Sequence, residues 1–332
     1  MINLAINGFG RIGRQAFKVA VNKKDIKIVA VNDLTDTKTL AHLLKHDTAY
    51  GLYDKEVDFD EKNLIVDGKK VPVYAEKDPS ALPWGKLKVD VVLECTGRFT
   101  KKEDAELHLK AGAKKVIVSA PAQGGGVPTY VRGVNCGKVG AEKSLVINNA
   151  SCTTNCIAPV MAVLQEKFGI EKAFMSTVHG YTADQNLQDG PHKDLRRARA
   201  AAENIVPTTT GAAKAVGEAI PALKGIFDGV AFRVPVPTCS LSDIIAVVKK
   251  NVTKEEVNKA LADAAKTDRF AGILICTDEP LVSSDYVGNA YSSIVDSALT
   301  NVTGGNLVKV VAWYDNEVGY SHRLVEMAEL FA

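Results

Sequence analysis

Ile2-Asn3-Leu4-Ala5-Ile6-Asn7 runs directly into Gly8-Phe9-Gly10-Arg11-Ile12-Gly13-Arg14, and the chain then continues in a helical pattern to about Val21. The first six residues alternate apolar and polar, as a strand does. A second strand is written by Ile26–Asn32, and Asp33 stands at its end, 20 residues beyond Gly13. Strand, G-x-G-x-x-G turn, helix, strand and terminal acid together make the fingerprint of a dinucleotide-binding βαβ unit. Gly8 permits the tight turn, Gly10 lets a pyrophosphate approach the backbone, and Gly13 brings helix against strand. The pyrophosphate is expected over the N–H groups that open the helix near Arg11 and Ile12. Asp33 can accept two ribose hydroxyls and would repel a 2′-phosphate, so the expected cofactor is NAD rather than NADP.

Outward from this unit, apolar strands at Val89–Leu93, Lys115–Ser119 and Ser144–Asn148 alternate with a helix-like run from Lys101 to Ala111. Residues 1–150 therefore read as one doubly wound parallel domain. From about residue 170 β-rich runs crowd together, several of them alternating as in Ser240–Val247. A mostly antiparallel sheet with helices on one face, an α+β domain over 151–315, is expected. Residues 316–332 read as a helix. The overall class is α/β.

Composition narrows the function. The chain has 332 residues, close to two domains at roughly 150 residues each. It is 46% hydrophobic and 24% charged, ordinary for a globular protein. Lys+Arg number 41 against 39 Asp+Glu, a net charge of +2 that gives no global drive towards nucleic acid or an anionic membrane. No stretch approaches the 18 apolar residues of a membrane span. The six cysteines form no C-x-x-C pair and no metal-ligand spacing, so neither a disulfide framework nor a metal is expected. A reducing compartment, the cytoplasm, is the expected setting.

Ala150-Ser151-Cys152-Thr153-Thr154-Asn155-Cys156 lies between an expected strand and a helix over about 154–168. A cysteine at a helix N-terminus gains from unpaired N–H groups and the macrodipole, which stabilise a thiolate and then an oxyanion. Its neighbours Ser, Thr, Thr and Asn set Cys152 apart from the other five cysteines, which read as inert. Pro159 should kink this helix or delay its regular start. Of the six histidines, His179 ends the apolar run Ala173–Val178. A base or ion-pair partner for the thiol is expected there, and an ion pair would keep Cys152 reactive below the pKa of a free thiol.

Two further features suit anions. Pro207-Thr208-Thr209-Thr210-Gly211 reads as hydroxyls capping a helix, and Arg233 is a lone charge in the apolar strand Ala231–Pro235. The polar stretch 181–204, with Lys193, Arg196, Arg197 and Arg199, reads as a long functional loop. NAD, a nucleophilic cysteine and anion sites describe an oxidoreductase that takes a phosphorylated aldehyde through a thiohemiacetal to a thioester.

Asn7–Arg14, Ala150–Asn155, His179-Gly180-Tyr181-Thr182, Asp194–Arg199 and Trp313-Tyr314-Asp315-Asn316-Glu317, in order along essentially the whole chain, resemble phosphorylating glyceraldehyde-3-phosphate dehydrogenases. The resemblance implies a Rossmann-like cofactor domain, joined by helix 316–332, and a catalytic domain. It implies Cys152 as nucleophile and His179 as base. Thr182 and Arg233, with Arg197 nearby, would hold the phosphate of glyceraldehyde 3-phosphate. Ser151, Thr153, Thr210 and Gly211 would hold inorganic phosphate. Gly8, Gly10, Arg11, Ile12, Gly13, Asp33, Lys77, Ser119 and Asn316 would hold NAD. It also implies a homotetramer. A dehydrogenase for erythrose 4-phosphate resembles the same stretches and is the alternative, and an RNA-binding use of loop 181–204 is the weaker reading.

Overall fold

A computed structural model describes residues 1–332, the side chains of Lys138 and Ala141 aside. The chain divides into two compact units, Met1–Tyr130 with Gly137–Ala150 and Ser321–Ala332, and Val131–Cys136 with Ser151–Tyr320.

In the first unit the elements are β1 (Ile2–Asn7), α1 (Arg11–Ala20), β2 (Ile26–Asn32), α2 (Thr37–Lys45), a short pair β3 (His46–Asp47) and β4 (Gly51–Leu52), then β5 (Val57–Phe59), β6 (Asn63–Val66), β7 (Lys69–Tyr74), β8 (Val91–Glu94), α3 (Lys102–Ala105), α4 (Leu107–Lys110), β9 (Lys115–Val118) and β10 (Val146–Asn148). The main sheet has the order β10-β9-β8-β1-β2-β7-β6-β5. From β10 to β7 every ladder is parallel, while β7-β6 and β6-β5 are antiparallel. This doubly wound sheet is the one its sequence predicts, except that an antiparallel meander over 57–74 delivers β7 to the parallel edge. Leu4, Ala5 and Ile6 have no exposed surface, because β1 is central and covered on both faces. Its neighbours β2 and β8 lie on opposite sides, so the connections leave β1 in both directions and a crevice opens at its carboxyl end.

The second unit comprises α5 (Cys152–Phe168), β11 (Ile170–Gly180), β12 (Val206–Thr209), α6 (Ala212–Ala219), β13 (Phe227–Val234), β14 (Ser240–Val248), α7 (Lys254–Ala265), β15 (Leu274–Thr277), β16 (Ser293–Asp296), β17 (Asn301–Thr303) and β18 (Leu307–Tyr314), with α8 (Val318–Phe331) beginning in it. Its sheet runs β12-β13-β11-β14-β18-β16-β15, with β17 on β18. Only β11/β13 and β15/β16 are parallel; the other ladders are antiparallel.

Helix α5 packs on β11, β14, β16 and β18, α6 on β13, and α7 on β15. The alternation along β11 follows from this one-sided cover. Met175, Thr177 and His179 are buried, whereas Phe174, Ser176 and Val178 are not. Helix α5 starts regularly at Cys152 and carries Pro159 inside it, so the delayed start is not what occurs. Burial of Ile157, Val160, Met161 and Leu164 outweighs the one hydrogen bond that the proline forfeits. Among the described residues, no helix is long and apolar enough to cross a membrane.

Candidate active site

The carboxyl edge of the parallel sheet gathers the first set of residues. Gly8 has φ +90°, and a Cβ there would lie 2.7 Å from the Thr96 nitrogen. A Cβ on Gly13 would collide with the carbonyl oxygen of Gly8, so strand and helix meet at that closeness only through glycine. Around Gly10 a Cβ would meet nothing within 4 Å, and Gly10 caps α1 without a side-chain hydrogen bond. That leaves the start of α1 clear of neighbours at Gly10, which suits the approach of a pyrophosphate to the helix N-terminus.

Asp33 accepts the Phe9 N–H (2.7 Å) and the Thr35 N–H (3.0 Å), so its carboxylate is already oriented at the end of β2. The Arg11 side chain turns away, to Asp47 at 2.6 Å and the ring of Tyr50. The main chain of Glu76, just before exposed Lys77, is tied to the amide of Asn32. The Ser119 N–H donates to the Glu94 carbonyl at the end of β9. These residues therefore share one edge, and their donors and carboxylate fit a dinucleotide.

In the second unit Ser151 is the N-cap of α5, its Oγ accepting the Thr154 N–H at 3.0 Å. Cys152 is thereby placed at the first helical position, half-buried, with Sγ 3.4 Å from His179 Nε2. Thr153 is buried, its hydroxyl bonded to Tyr314 Oη (2.8 Å), which also bonds Thr177 Oγ1 (2.9 Å). Tyr314 thus ties the start of α5 to the central strands, a role the sequence reading did not give it. Its place beside Asp315 and Asn316 was the only available signal.

Parallel pairing of β11 with β13 sets Arg233 directly beside His179 in register. Arg233 Nη1 lies 2.6 Å from His179 Nδ1, and the Gly180 carbonyl lies 2.7 Å from Nδ1 and 3.2 Å from Nη1. Only one of the two nitrogens can present a hydrogen to the other, so the imidazole either donates to Gly180 through Nδ1 or accepts from Arg233 there. Accepting from Arg233 would place the ring hydrogen on Nε2, whereas donating to Gly180 leaves Nε2 free to receive a proton from Sγ.

Burial, reinforced by Arg233 and then Arg197, holds the His179 imidazolium down to about 3. Burial pushes the Cys152 thiol up, against the opposing pull of Arg233 and of hydrogen bonds from Thr153. Of the base and the ion-pair partner that the sequence allows, burial thus favours the first, a neutral imidazole facing Sγ, with Arg233 as the resident cation. Two buried charges would cost more than the one that Arg233 already supplies.

Arg233 has no carboxylate partner among the described residues, and its buried Nε has no hydrogen-bond partner. Arg197, by contrast, is neutralised by Asp184 (2.5 Å) and Asp194 (3.6 Å) and bonded to Thr208 (3.0 Å). Arg199 pairs with Asp189 at 2.9 Å. The basic loop 181–204 is therefore largely self-compensated, which weakens its reading as a nucleic-acid surface. Thr182 lies two residues beyond Gly180, its N–H bonded to Gln185.

Of the threonine cluster only Thr210 meets the start of a helix, as expected of the whole string. Thr208 and Thr209 belong to β12, and Gly211 is the N-cap of α6 with no side-chain bond. The β12–β13 ladder claims this backbone first. Thr210 Oγ1 still accepts the Ala212 N–H (3.2 Å), and Thr154 Oγ1 donates to the Ala212 carbonyl (3.4 Å), which brings the starts of α5 and α6 together. Asn316 is buried, its Oδ1 accepting from Ser240 Oγ (3.0 Å), which in turn receives the Gly180 N–H (3.2 Å). Among the described residues no cluster of three or more His, Cys, Asp or Glu could hold a metal.

The sequence is similar to known proteins along its length. Residues 2–102 match the glyceraldehyde 3-phosphate dehydrogenase NAD binding domain, and residues 151–316 match the C-terminal domain of the same family. A glyceraldehyde-3-phosphate dehydrogenase of Geobacillus stearothermophilus is 56% identical over 331 residues, spanning 100% of this chain and 98% of that protein. Glyceraldehyde-3-phosphate dehydrogenase 1 of Bacillus subtilis (strain 168) is 55% identical with the same coverage, and the enzyme of Clostridium pasteurianum is 53% identical over 100% of this chain and 99% of its own. By both domain models and by these full-length relatives, the chain belongs to the glyceraldehyde 3-phosphate dehydrogenase family.

Proposed function

We propose that the chain oxidises D-glyceraldehyde 3-phosphate with NAD and inorganic phosphate, giving 1,3-bisphosphoglycerate. The observation that carries this reading is the Cys152–His179 contact of 3.4 Å at the N-terminus of a long helix, beside an arginine with no carboxylate of its own. Sγ attacks the aldehyde carbon while its proton passes to His179 Nε2, and N–H groups at the start of α5 receive the developing oxyanion. NAD, when bound, would supply the hydride acceptor for the thiohemiacetal, which leaves Cys152 carrying a thioester. Inorganic phosphate then attacks the thioester carbon, the acyl phosphate leaves, and the thiol recovers a proton from His179.

Arg233 and Thr182 hold the phosphate of the substrate, with Arg197 nearby. Ser151, Thr153, Thr210 and Gly211 surround the attacking phosphate, through the paired starts of α5 and α6. Gly8, Gly10, Arg11, Ile12 and Gly13 would hold the pyrophosphate of NAD, and Asp33, Lys77 and Ser119 the rest of that edge. Asn316, oriented by Ser240, would hold the nicotinamide amide. Six free cysteines fit a cytoplasmic setting.

NADH formation at 340 nm is expected to be sustained only when inorganic phosphate is present, and faster with glyceraldehyde 3-phosphate than with erythrose 4-phosphate. Equal steady-state turnover without phosphate would mean that water resolves the thioester. A strong preference for the four-carbon aldehyde would move the assignment to that substrate.

The homotetramer belongs to the same reading. The face of the second sheet away from its helices presents Phe174, 46% exposed, paired across β11/β14 with Ile245, 43% exposed. Val178, Phe232 and Leu241 extend this apolar surface, and Leu187 and Leu195 stand more than 80% exposed on loop 181–204. Such surfaces are normally covered. Light scattering should give about four times the 35.5 kDa chain mass. The Phe174→Glu, Ile245→Glu double variant should give a smaller species, and an unchanged mass would exclude this face as the interface.

A further inference from the structure

Beneath the dinucleotide edge lies a fully buried carboxylate, Glu94 at the end of β8, whose side chain has no exposed surface. Every partner it meets is a donor. Its Oε1 accepts the Thr96 N–H (2.7 Å) and the Thr96 hydroxyl. Its Oε2 accepts Asn7 Nδ2 (2.5 Å) and faces His108 Nε2 at 2.9 Å. The direction of that last bond is fixed from the far side. Trp84 Nε1 can only donate, and it lies 3.0 Å from His108 Nδ1, so Nδ1 accepts and Nε2 carries the hydrogen towards Glu94. The amide of Asn7 is fixed in the same way, because its Oδ1 accepts Asn32 Nδ2 at 2.7 Å. Asn32 in turn exchanges hydrogen bonds with the Glu76 main chain on both sides.

We propose that Glu94 is a positioning residue for NAD. Four donors converge on it, and only an acceptor-only head satisfies them all, so a hydrophobic or amide side chain of the same size would leave donors unpaired. Through Thr96 the carboxylate fixes the turn that lies against Gly8, where a Cβ would already clash with the Thr96 nitrogen. The Thr96 hydroxyl also accepts the Arg98 N–H at 3.1 Å, which completes that turn. Through Asn7 and Asn32 the same carboxylate sets the chain leading to Lys77. The glycine turn and the far side of the edge are therefore held from one buried point. The proposal rests on the reading of this edge as the NAD site.

The test uses the full-length chain with Glu94→Gln and Thr96→Val. Gln presents an NH₂ to one pair of donors in either orientation, and Val removes a single hydroxyl. For E94Q the dissociation constant of NAD, measured by calorimetry, should rise about ten- to hundredfold; for T96V it should rise about three- to tenfold. The KM for NAD should rise in step, while kcat at saturating NAD and the rate of Cys152 alkylation without NAD stay within about twofold. If E94Q does not fold, T96V decides. Both variants binding NAD within about twofold of wild type would overturn the proposal, as would equal losses in kcat and Cys152 alkylation, the mark of a merely structural defect. A wild-type chain that does not bind NAD overturns the reading of the edge as well. Wild-type binding with unaffected variants overturns only the role of Glu94.

Discussion

Cys152→Ser should abolish NADH formation from glyceraldehyde 3-phosphate, with a loss on the order of 10⁴-fold or more. The reason lies in the acidity of the attacking group and in what surrounds it. Arg233 and the start of α5 favour negative charge at Sγ, and a neutral imidazole lies 3.4 Å away to take the proton. A serine hydroxyl is far less acidic than a thiol, so the same base cannot populate its alkoxide, and its acyl product would be an ester rather than a thioester. Phosphate resolves an ester much more slowly, so the second half of the reaction fails as well.

Cys156 offers no detour. It is one turn further along α5, has no exposed surface, and its thiol is pushed well up by burial. The substitution leaves the cap made by Ser151 intact and changes little volume, so the melting temperature should stay within about 2 °C of wild type. NAD affinity should also be retained, since the glycine turn and Asp33 are untouched. Residual turnover above about one per cent, with the fold intact, would remove Cys152 from the nucleophile's place.

That placement shows which parts of the molecule are legible in the sequence. The glycine turn was legible because its demands are local. A φ of +90° at Gly8 and the packing of Gly13 on Gly8 are written within six residues. The position of Cys152 was legible for the same reason, through the switch from strand to helical periodicity around Ser151. What pairs with it across the sheet was not. Arg233 reads in the sequence as a lone charge in an apolar strand, and only the parallel register of β11 with β13 sets it against His179. No local pattern encodes that register, which is chosen by the packing of the whole sheet.

The same distinction explains the threonines at 208–210. As an isolated string they suit a helix cap, but β13 offers Thr208 and Thr209 a ladder, and only the Thr210 hydroxyl is left to accept an N–H at the start of α6. Glu94 and His108 went unremarked for a related reason. Each lies in an ordinary apolar strand or helical run, and their importance comes only from burial opposite Asn7, Trp84 and Thr96.

His179→Asn should lower kcat by about 10²–10⁴-fold, the usual range for removing a positioned general base. Asn reaches a similar place and can hydrogen-bond, but it cannot take the proton from Sγ and return it to the thiol when the thioester is cleaved. A thiolate–imidazolium pair in the resting site would make alkylation of Cys152 shift to higher pH in the variant, whereas the neutral imidazole that burial dictates predicts no such shift. An upward shift would therefore restore the ion pair to the resting site.

A second readout tests the state of the imidazole itself. Its folded pKa, held down to about 3, lies far below the roughly 6.5 of an unfolded histidine. Below pH 6.5 the unfolded chain therefore takes up a proton that the folded chain refuses. The stability this histidine contributes is fully present above pH 6.5 and is lost as the pH falls towards 3. In that window the wild type should lose about 1.4 kcal/mol per pH unit from this one group, and the Asn variant should not. Denaturant unfolding of both proteins between pH 6.5 and 4.5 measures the difference in slope directly. Parallel slopes would mean that His179 is protonated in the folded chain, and the cation beside Cys152 would then be the imidazolium rather than Arg233.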